Sequence, residues 1–345
     1  MLAAVTQAPG VMVIDEVPEP GPPGPQDVII RPEIVGICGS DLHVYSGDTG
    51  ALSGAPSFFP RIQGHEFSAV VEQLGGDCPG EVQPGDRVAV WPLRGCGRCY
   101  PCRAGRANAC VSLELVGIHR DGGLQQLLSV PASQVFGVGD LDPEPAAFIE
   151  PMSIAVHALD RAGIAAGQRV VILGAGPIGL ATLVAAVHGG ARVLSVDPVA
   201  SRRDLAKRLG AEVVAWAPPA ELTGLTREWT SGEGAPLIVE TSGEAGQLAQ
   251  AVEMAPSAGR VVVVSLSSGT APVRSGAFPE KEIDVIGSSC ATAGDFGEAI
   301  RLVLANRAAV ANLVSHHFPL ARAAEAFEFA MSRPPDAIKI VVTVN

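Results

Sequence analysis

The sequence predicts an α/β chain of two parts: a β-rich barrel or sandwich and a doubly wound parallel sheet. Three observations predict it. The first 150 residues are punctuated by Gly and Pro and carry short Val/Ile runs, as strands between turns do. From about Pro143 onward, strand and helix patterns alternate, which implies parallel pairing. A glycine fingerprint, Gly174-Ala175-Gly176-Pro177-Ile178-Gly179, follows the apolar run VVIL and opens a helix pattern. The length of 345 residues allows two domains with sizeable cores, and 47% hydrophobic against 17% charged residues excludes a disordered chain.

In chain order, DVIIRPEIVGI, FSAVVEQLG, DRVAVWPL and LLSVP read as strands of the first part, after the proline-rich connection PEPGPPGPQ. PEPAAFIEPMSIAVHALDRAGI reads as one helix from its 3–4 apolar spacing. QRVVILGAG is a buried strand, PIGLATLVAAVHGG a helix closing on two glycines, ARVLSVD a second strand and SRRDLAKRLGAE an amphipathic helix. APLIVETSG, GRVVVVSL and DVIGSSCAT supply later strands. Helices over DFGEAIRLVLANRA and ARAAEAFEFAM flank HHFPL, and AIKIVVTV closes the chain as a strand.

A net charge of −12 excludes electrostatic binding of nucleic acid. The run MLAAVTQAPG lacks the basic and apolar regions of a secretory signal, and LATLVAAVHGG is too short to span a membrane. A reducing cytoplasm is the expected compartment. Four of the seven cysteines, Cys96, Cys99, Cys102 and Cys110, follow C-x2-C-x2-C-x7-C in GCGRCYPCRAGRANAC. Tetrahedral zinc bound by four thiolates needs such a knuckle, and glycines around it let the chain turn. Neighbouring cysteines with only two residues between them rarely reach disulfide geometry. A closed four-thiolate site is structural, because no coordination position stays open. Cys78 and Cys290 are expected as buried free thiols.

In the fingerprint, Gly174 permits the tight turn, Gly176 the approach of a pyrophosphate and Gly179 close helix–strand packing, with Pro177 and Ile178 opening the helix whose N-terminus faces the phosphates. Asp197 ends the second strand, where a carboxylate accepts from ribose hydroxyls and repels a 2′-phosphate, so NAD is favoured over NADP. Arg202 and Arg203 lie just beyond, placed either to flank the adenine or to hold a phosphate.

Cys38 in GICGSDLHVYSG, His65 and Glu66 in QGHEFSAVV, and Glu150 in FIEPMSIAVHA are each unremarked when taken alone. Taken with the cysteine lobe, GAGPIG and HxFPL, they make the chain resemble the zinc-dependent medium-chain alcohol and polyol dehydrogenases over nearly its whole length. That resemblance implies a GroES-like β-barrel catalytic domain, residues 1–152 and 292–345, around an inserted Rossmann NAD-binding domain, residues 153–291. The active site is then expected in the cleft, at the carboxyl ends of the parallel strands.

The resemblance also implies one catalytic and one structural zinc ion. Cys38 and His65 would ligate the catalytic ion together with a carboxylate and a water, Glu150 being one candidate carboxylate and Glu66 either a ligand or a movable acid just behind the ligands. Glu150 stands where alcohol dehydrogenases of the family carry a cysteine and where polyol and threonine dehydrogenases carry a glutamate. Ser40 and His43 are implied as a proton relay from the substrate through the nicotinamide ribose to solvent.

The branch resembled includes sorbitol-type, threonine and hexonate 5-dehydrogenases. The expected reaction is hydride transfer from a secondary alcohol, of the sugar-acid or polyol kind, to NAD. His119 and Arg120 are candidates for a substrate carboxylate, or Arg120 simply pairs with Asp121. Ser289 and Cys290 stand where many members of the branch place a substrate-contacting arginine, which favours a simple alcohol or butanediol as the alternative. Phe58, Phe59, Met152 and Leu266 are candidate apolar walls. His316 and His317 are expected at the surface or a hinge, and Glu298 and Arg301 on a solvated helix face. A non-catalytic zinc and nucleotide-binding protein is the reading from another class, opposed by the presence of Cys38, Ser40, His43, His65 and both glutamates. A homodimer or homotetramer joined edge to edge through the Rossmann sheets is implied.

Overall fold

The computed structural model describes residues 1–48, 59–267 and 269–345, so Phe58 lies outside the described residues. The chain divides into two compact units, Met1–Glu150 with Thr292–Asn345, and Pro151–Ala291.

The first unit is β-rich. β1 (Leu2–Ala8) and β2 (Val11–Glu16) form a hairpin that the sequence pattern did not single out. The chain continues through β3 (Asp27–Gly36), α1 (Gly39–Ser46), β4 (Arg61–Ile62), β5 (Glu66–Leu74) and β6 (Arg87–Val90). Next come β7 (Leu93–Arg94), α2 (Tyr100–Arg103), β8 (Glu114–Leu115), β9 (Leu128–Pro131) and β10 (Val135–Gly137). After the second unit the chain returns with β17 (Val314–Pro319), which contains His316, His317 and Phe318 and ends one residue before Leu320, and β18 (Lys339–Thr343). Among the described residues the main sheet runs β10-β6-β5-β3-β18-β17, with β9 also on β3. Inward residues make its core: Ile30 and Val35 on β3, which share a face across the bulge between Pro32 and Ile34, Phe67 and Val71 on β5, Val88 and Val90 on β6, and Val342 on β18, all buried with Phe327.

The register of the central strands positions the chemistry. Gly36 pairs with Glu66 across β3 and β5, and with Val341 across β3 and β18. Cys38, just past β3, therefore meets His65, just before β5, and Lys339 at the start of β18.

The helix expected over residues 143–164 is broken. α3 (Pro143–Ala147) ends at Phe148, and α4 (Ile149–Ala162) begins anew. Pro151 has no N–H to give to Ala147, and a proline is tolerated only in a first turn. The break leaves Glu150 in the first turn of α4.

The second unit alternates strand and helix: β11 (Arg169–Leu173), α5 (Pro177–His188), β12 (Arg192–Val196), α6 (Ala200–Arg208), β13 (Val213–Ala215), α7 (Pro219–Trp229), β14 (Leu237–Glu240), α8 (Ala245–Met254), β15 (Arg260–Val263), α9 (Ala277–Lys281) and β16 (Asp284–Gly287). Their order is β13-β12-β11-β14-β15-β16 and every pair is parallel. That is the doubly wound arrangement, with the direction of winding reversing beside β11. Both faces are covered, so β11 and β14 are apolar almost throughout, as buried parallel strands are.

Phe327 is fully buried in the first unit, its ring 5.2 Å from that of Tyr45. Phe327→Ala is expected to destabilise this unit by about 3–5 kcal/mol, read from the shift of its urea transition.

Candidate active site and metal centres

Cys38 is the N-cap of α1, and Asp41 in the first turn of that helix is buried. One oxygen of Asp41 accepts from the Cys38 N–H at 2.9 Å, and the other from the Gly64 N–H at 3.3 Å. The second oxygen also lies 3.4 Å from His65 Nδ1. A single carboxylate thus clips together the two segments that carry the thiol and the imidazole, and it stands on the Nδ1 side of the ring, leaving Nε2 on the other side. A histidine that ligates a metal uses its other nitrogen in this way. Ser40 Oγ lies 3.4 Å from that Nε2.

The donor atoms of Cys38, His65 and Glu66 lie within 4.8 Å of one another. Glu66 Oε2 is paired at 2.5 Å with the ammonium of Lys339, which also donates to the Ile37 carbonyl at 3.1 Å. Glu66 Oε1 is buried and has no hydrogen-bond partner among the described residues. An orphaned carboxylate oxygen beside a thiol and an imidazole fits a zinc ion, whose ligands are sulfur, nitrogen and oxygen of these three kinds. Burial works against the imidazolium, yet Asp41 and Cys38 outweigh it and hold His65 well above its ordinary pKa. The pocket is therefore one that favours a positive charge.

Glu150 is buried nearby, outside the three-donor cluster but close enough to feel His65, Glu66 and Lys339. Burial, helped by the neighbouring Glu66, pushes its carboxyl up to about 7. His43 is three residues beyond Ser40 on α1, half-buried, with Nδ1 3.5 Å from Asp48.

The second cluster is Cys96, Cys99, Cys102 and Cys110, all four donor atoms within 4.8 Å of one another. Cys99 Sγ lies 3.4 Å from Cys102 Sγ and 3.7 Å from Cys110 Sγ. Thiolates around tetrahedral zinc stand roughly 3.8 Å apart, given Zn–S bonds of about 2.3 Å, so this set fits the ion. Backbone N–H groups of Cys102 and Val111 hold Cys99 down at about 6, whereas desolvation and the adjoining sulfurs push Cys102 up to about 12. Four neighbouring thiols resist ionising together without a cation, and zinc supplies one.

In the second unit, Gly174 has φ +99° and its carbonyl stands where any side chain at Gly179 would have to go. Both positions need glycine. Gly176 caps α5, and Pro177 is its first residue, so the helix N-terminus opens directly at the turn. Asp197 is buried just past β12, one oxygen accepting from Ala175 N–H and the other from Val199 N–H, each at 2.8 Å. Each oxygen keeps a further lone pair. Arg203 is turned back onto the carbonyls of Asp197 and Pro198, and Arg202 is half-buried beside it.

Residues 24–140 match the alcohol dehydrogenase GroES-like domain, and residues 177–305 match the zinc-binding dehydrogenase domain. L-galactonate-5-dehydrogenase of Escherichia coli K12 is 34% identical over 323 residues, covering 93% of each chain. The chain belongs to the zinc-dependent alcohol dehydrogenase family. Two solved members show the same fold. Galactitol-1-phosphate dehydrogenase from Escherichia coli is 28% identical, with a TM-score of 0.88 and 100% of both chains covered. An alcohol dehydrogenase of Escherichia coli CFT073 solved in complex with NADH is also 28% identical, with a TM-score of 0.88 over 100% of this chain and 99% of that one. As a zinc-dependent alcohol dehydrogenase the protein is an oxidoreductase that works with zinc and a nicotinamide dinucleotide, and the non-catalytic reading falls away.

Other expectations are redrawn. Asp121 is held by Arg61 Nη1 and the Ile62 N–H, each at 3.1 Å, not by Arg120, because β4 runs beside this loop. His119 Nδ1 accepts from the Leu115 N–H, and burial together with Arg61 lowers its pKa. Cys78 and Cys290 are in no disulfide but are only partly buried, since both lie in loops outside the strands and helices. Met152 is core, Phe59 is half-buried and packs against Val44 and Ile118, and Leu266 is 52% exposed. In keeping with the expectation for them, His317 pairs with Glu144 and His316 with Ser315, neither belonging to a metal-donor cluster, and Arg301 pairs with Glu298 on an exposed helix face.

Two site residues escaped sequence reading. Asp41 stands inside GICGSDLHVYSG, and its spacing of three from Cys38 was a signal for a helix cap. Lys339 lay in IKIVV, and a lysine within an otherwise apolar closing strand was the cue that it is buried against a charge.

Asp41→Ala is expected to lower zinc affinity at the Cys38 cluster by about 10- to 100-fold, measured by competition with a chromogenic chelator. Cys102→Ser should remove one zinc ion per chain from the wild-type content and leave the other, as counted by elemental analysis, and should lower the urea midpoint of the first unit.

Proposed function

We propose that this protein oxidises a secondary alcohol of the sugar-acid or polyol class with NAD⁺. The observation that carries the reading is the convergence of Cys38, His65 and Glu66, with Ser40 against His65. It is supported by 34% identity over 93% of the chain to a relative named for a hexonate substrate. Zinc held by Cys38, His65 and a carboxylate supplies the positive charge that lowers the pKa of a substrate hydroxyl.

The chain's own residues supply the rest. Ser40 is placed to take the hydroxyl proton, and His43, on the same face of α1 and partly open to solvent, is placed to pass it out. Glu66 has one oxygen anchored by Lys339 and one buried oxygen with no hydrogen-bond partner among the described residues. Glu150 is a second buried carboxyl within reach of the same charges. The Gly174–Gly179 turn, the start of α5 and Asp197 hold the dinucleotide, and the carboxylate of Asp197 at the ribose position selects NAD over NADP. Arg202 is placed to lie along the adenosine.

A homodimer or homotetramer is part of the reading. β16 is the edge of the parallel sheet among the described residues and exposes Val285, a surface suited to strand-to-strand pairing with a second copy. No helix among the described residues is long and apolar enough to cross a membrane, and seven cysteines outside any disulfide suit a reducing cytoplasm.

A simple alcohol or butanediol is the second reading. It rests on Ser289 and Cys290 standing at the end of β16, small and uncharged, where a carboxylate-bearing substrate would be met by an arginine.

Purified protein is assayed for NAD⁺ reduction with hexonates, pentitols, hexitols, butanediols, threonine and simple alcohols, each with a chelator control. Chelator-sensitive turnover of a hexonate or polyol is the expected result. Turnover confined to butanediols or simple alcohols would select the second reading. No turnover by protein holding zinc at both four-cysteine and Cys38 clusters would sink both.

A further inference from the structure

Glu240 is the last residue of β14 and is buried at 2% exposure, in a strand whose other residues are Leu, Ile and Val. Burying a carboxylate is unfavourable, and an apolar side chain of similar size would serve packing as well or better. Its partners show what the carboxylate does instead. Oε1 accepts from the Ser242 N–H at 2.7 Å and from the Ser242 hydroxyl at 2.5 Å, and Oε2 accepts from the Ser265 hydroxyl. Ser242 is in the turn after β14 and Ser265 is in the turn after β15. One carboxylate ties these two loops together.

The topology says what the loops face. Glu240 pairs in register with Leu173 at the end of β11 on one side and with Val263 at the end of β15 on the other. β11, β12 and β13 carry the phosphate turn and Asp197, which serve the adenosine half of a dinucleotide. In a doubly wound sheet the other mononucleotide lies across the reversal point, over the strands that follow, here β14 and β15. The tied loop also abuts the phosphate turn. Thr241 donates to the Leu173 carbonyl at 2.9 Å and lies within 3.2 Å of the Gly174 carbonyl oxygen, and the Ser242 backbone fills the space beside Gly174.

We propose that Glu240 is a positioning residue for the nicotinamide half of the dinucleotide, acting through the loops it holds at Ser242 and Ser265. The inference rests on the reading of the second unit as a dinucleotide site.

The test is a pair of binding titrations on purified full-length protein, with NADH followed by fluorescence and AMP, which lacks the nicotinamide half, by calorimetry. Wild type is compared with Glu240→Leu and with Ser265→Ala, which cuts one tie while leaving the buried carboxylate in place. Expected is a loss of NADH affinity of about five- to tenfold in each variant, with AMP affinity within twofold of wild type. NADH affinity within twofold of wild type in Ser265→Ala, or an equal loss for NADH and AMP, would overturn the proposal. Wild-type protein that binds neither ligand would overturn the dinucleotide reading itself, and that result is distinct from both.

Discussion

The register of β3 against β5 and β18 is the constraint on which the metal site depends. In antiparallel pairing the residue opposite Gly36 is fixed, and it is Glu66 on one side and Val341 on the other. A slip of one residue would turn the apolar faces of these strands outward, so the core enforces the register strongly. Cys38, His65, Glu66 and Lys339, scattered over three hundred positions of sequence, are brought together by that enforcement. The core of the barrel is in this sense the scaffold of the chemistry.

Electrostatics then selects what occupies the site. Asp41, Glu66 and Glu150 are buried carboxyls near one another, with Lys339 opposing only part of their charge. Such a group is stable when a further cation joins it, and the soft thiol and imidazole beside the carboxylate match zinc better than the hard oxygen-seeking ions. The cysteine lobe solves a different problem with the same element. α2 and its flanking turns have little apolar material to bury, and a closed tetrathiolate centre replaces a core there.

In the parallel sheet the working parts gather at the carboxyl ends of the strands: the Gly174 turn after β11, Asp197 after β12, and Glu240 with its two serines after β14 and β15. Buried apolar strands hold the ends rigid, and the polar residues begin where the strands stop. Asp197 and Glu240 are alike in this respect. Each is a buried carboxylate fixed by local N–H or O–H donors at a strand end, one on either side of β11.

The sequence by itself determined the two architectures, the four-cysteine lobe and the phosphate turn, because each is written in local spacing: period and alternation for the elements, C-x2-C-x2-C for the lobe, glycines where backbone must approach backbone. It also named Cys38, His65, Glu66 and Glu150, since family motifs mark them. It left Asp41, Lys339 and Glu240 without a role, and it drew Arg120 to Asp121 where Arg61 holds that residue. It also ran α3 and α4 together. Only the tertiary structure decided these points. A buried charge is defined by the partner it meets, and the partners here lie 273 residues away for Lys339 with Glu66 and 25 for Glu240 with Ser265, across strand pairings that no local pattern encodes.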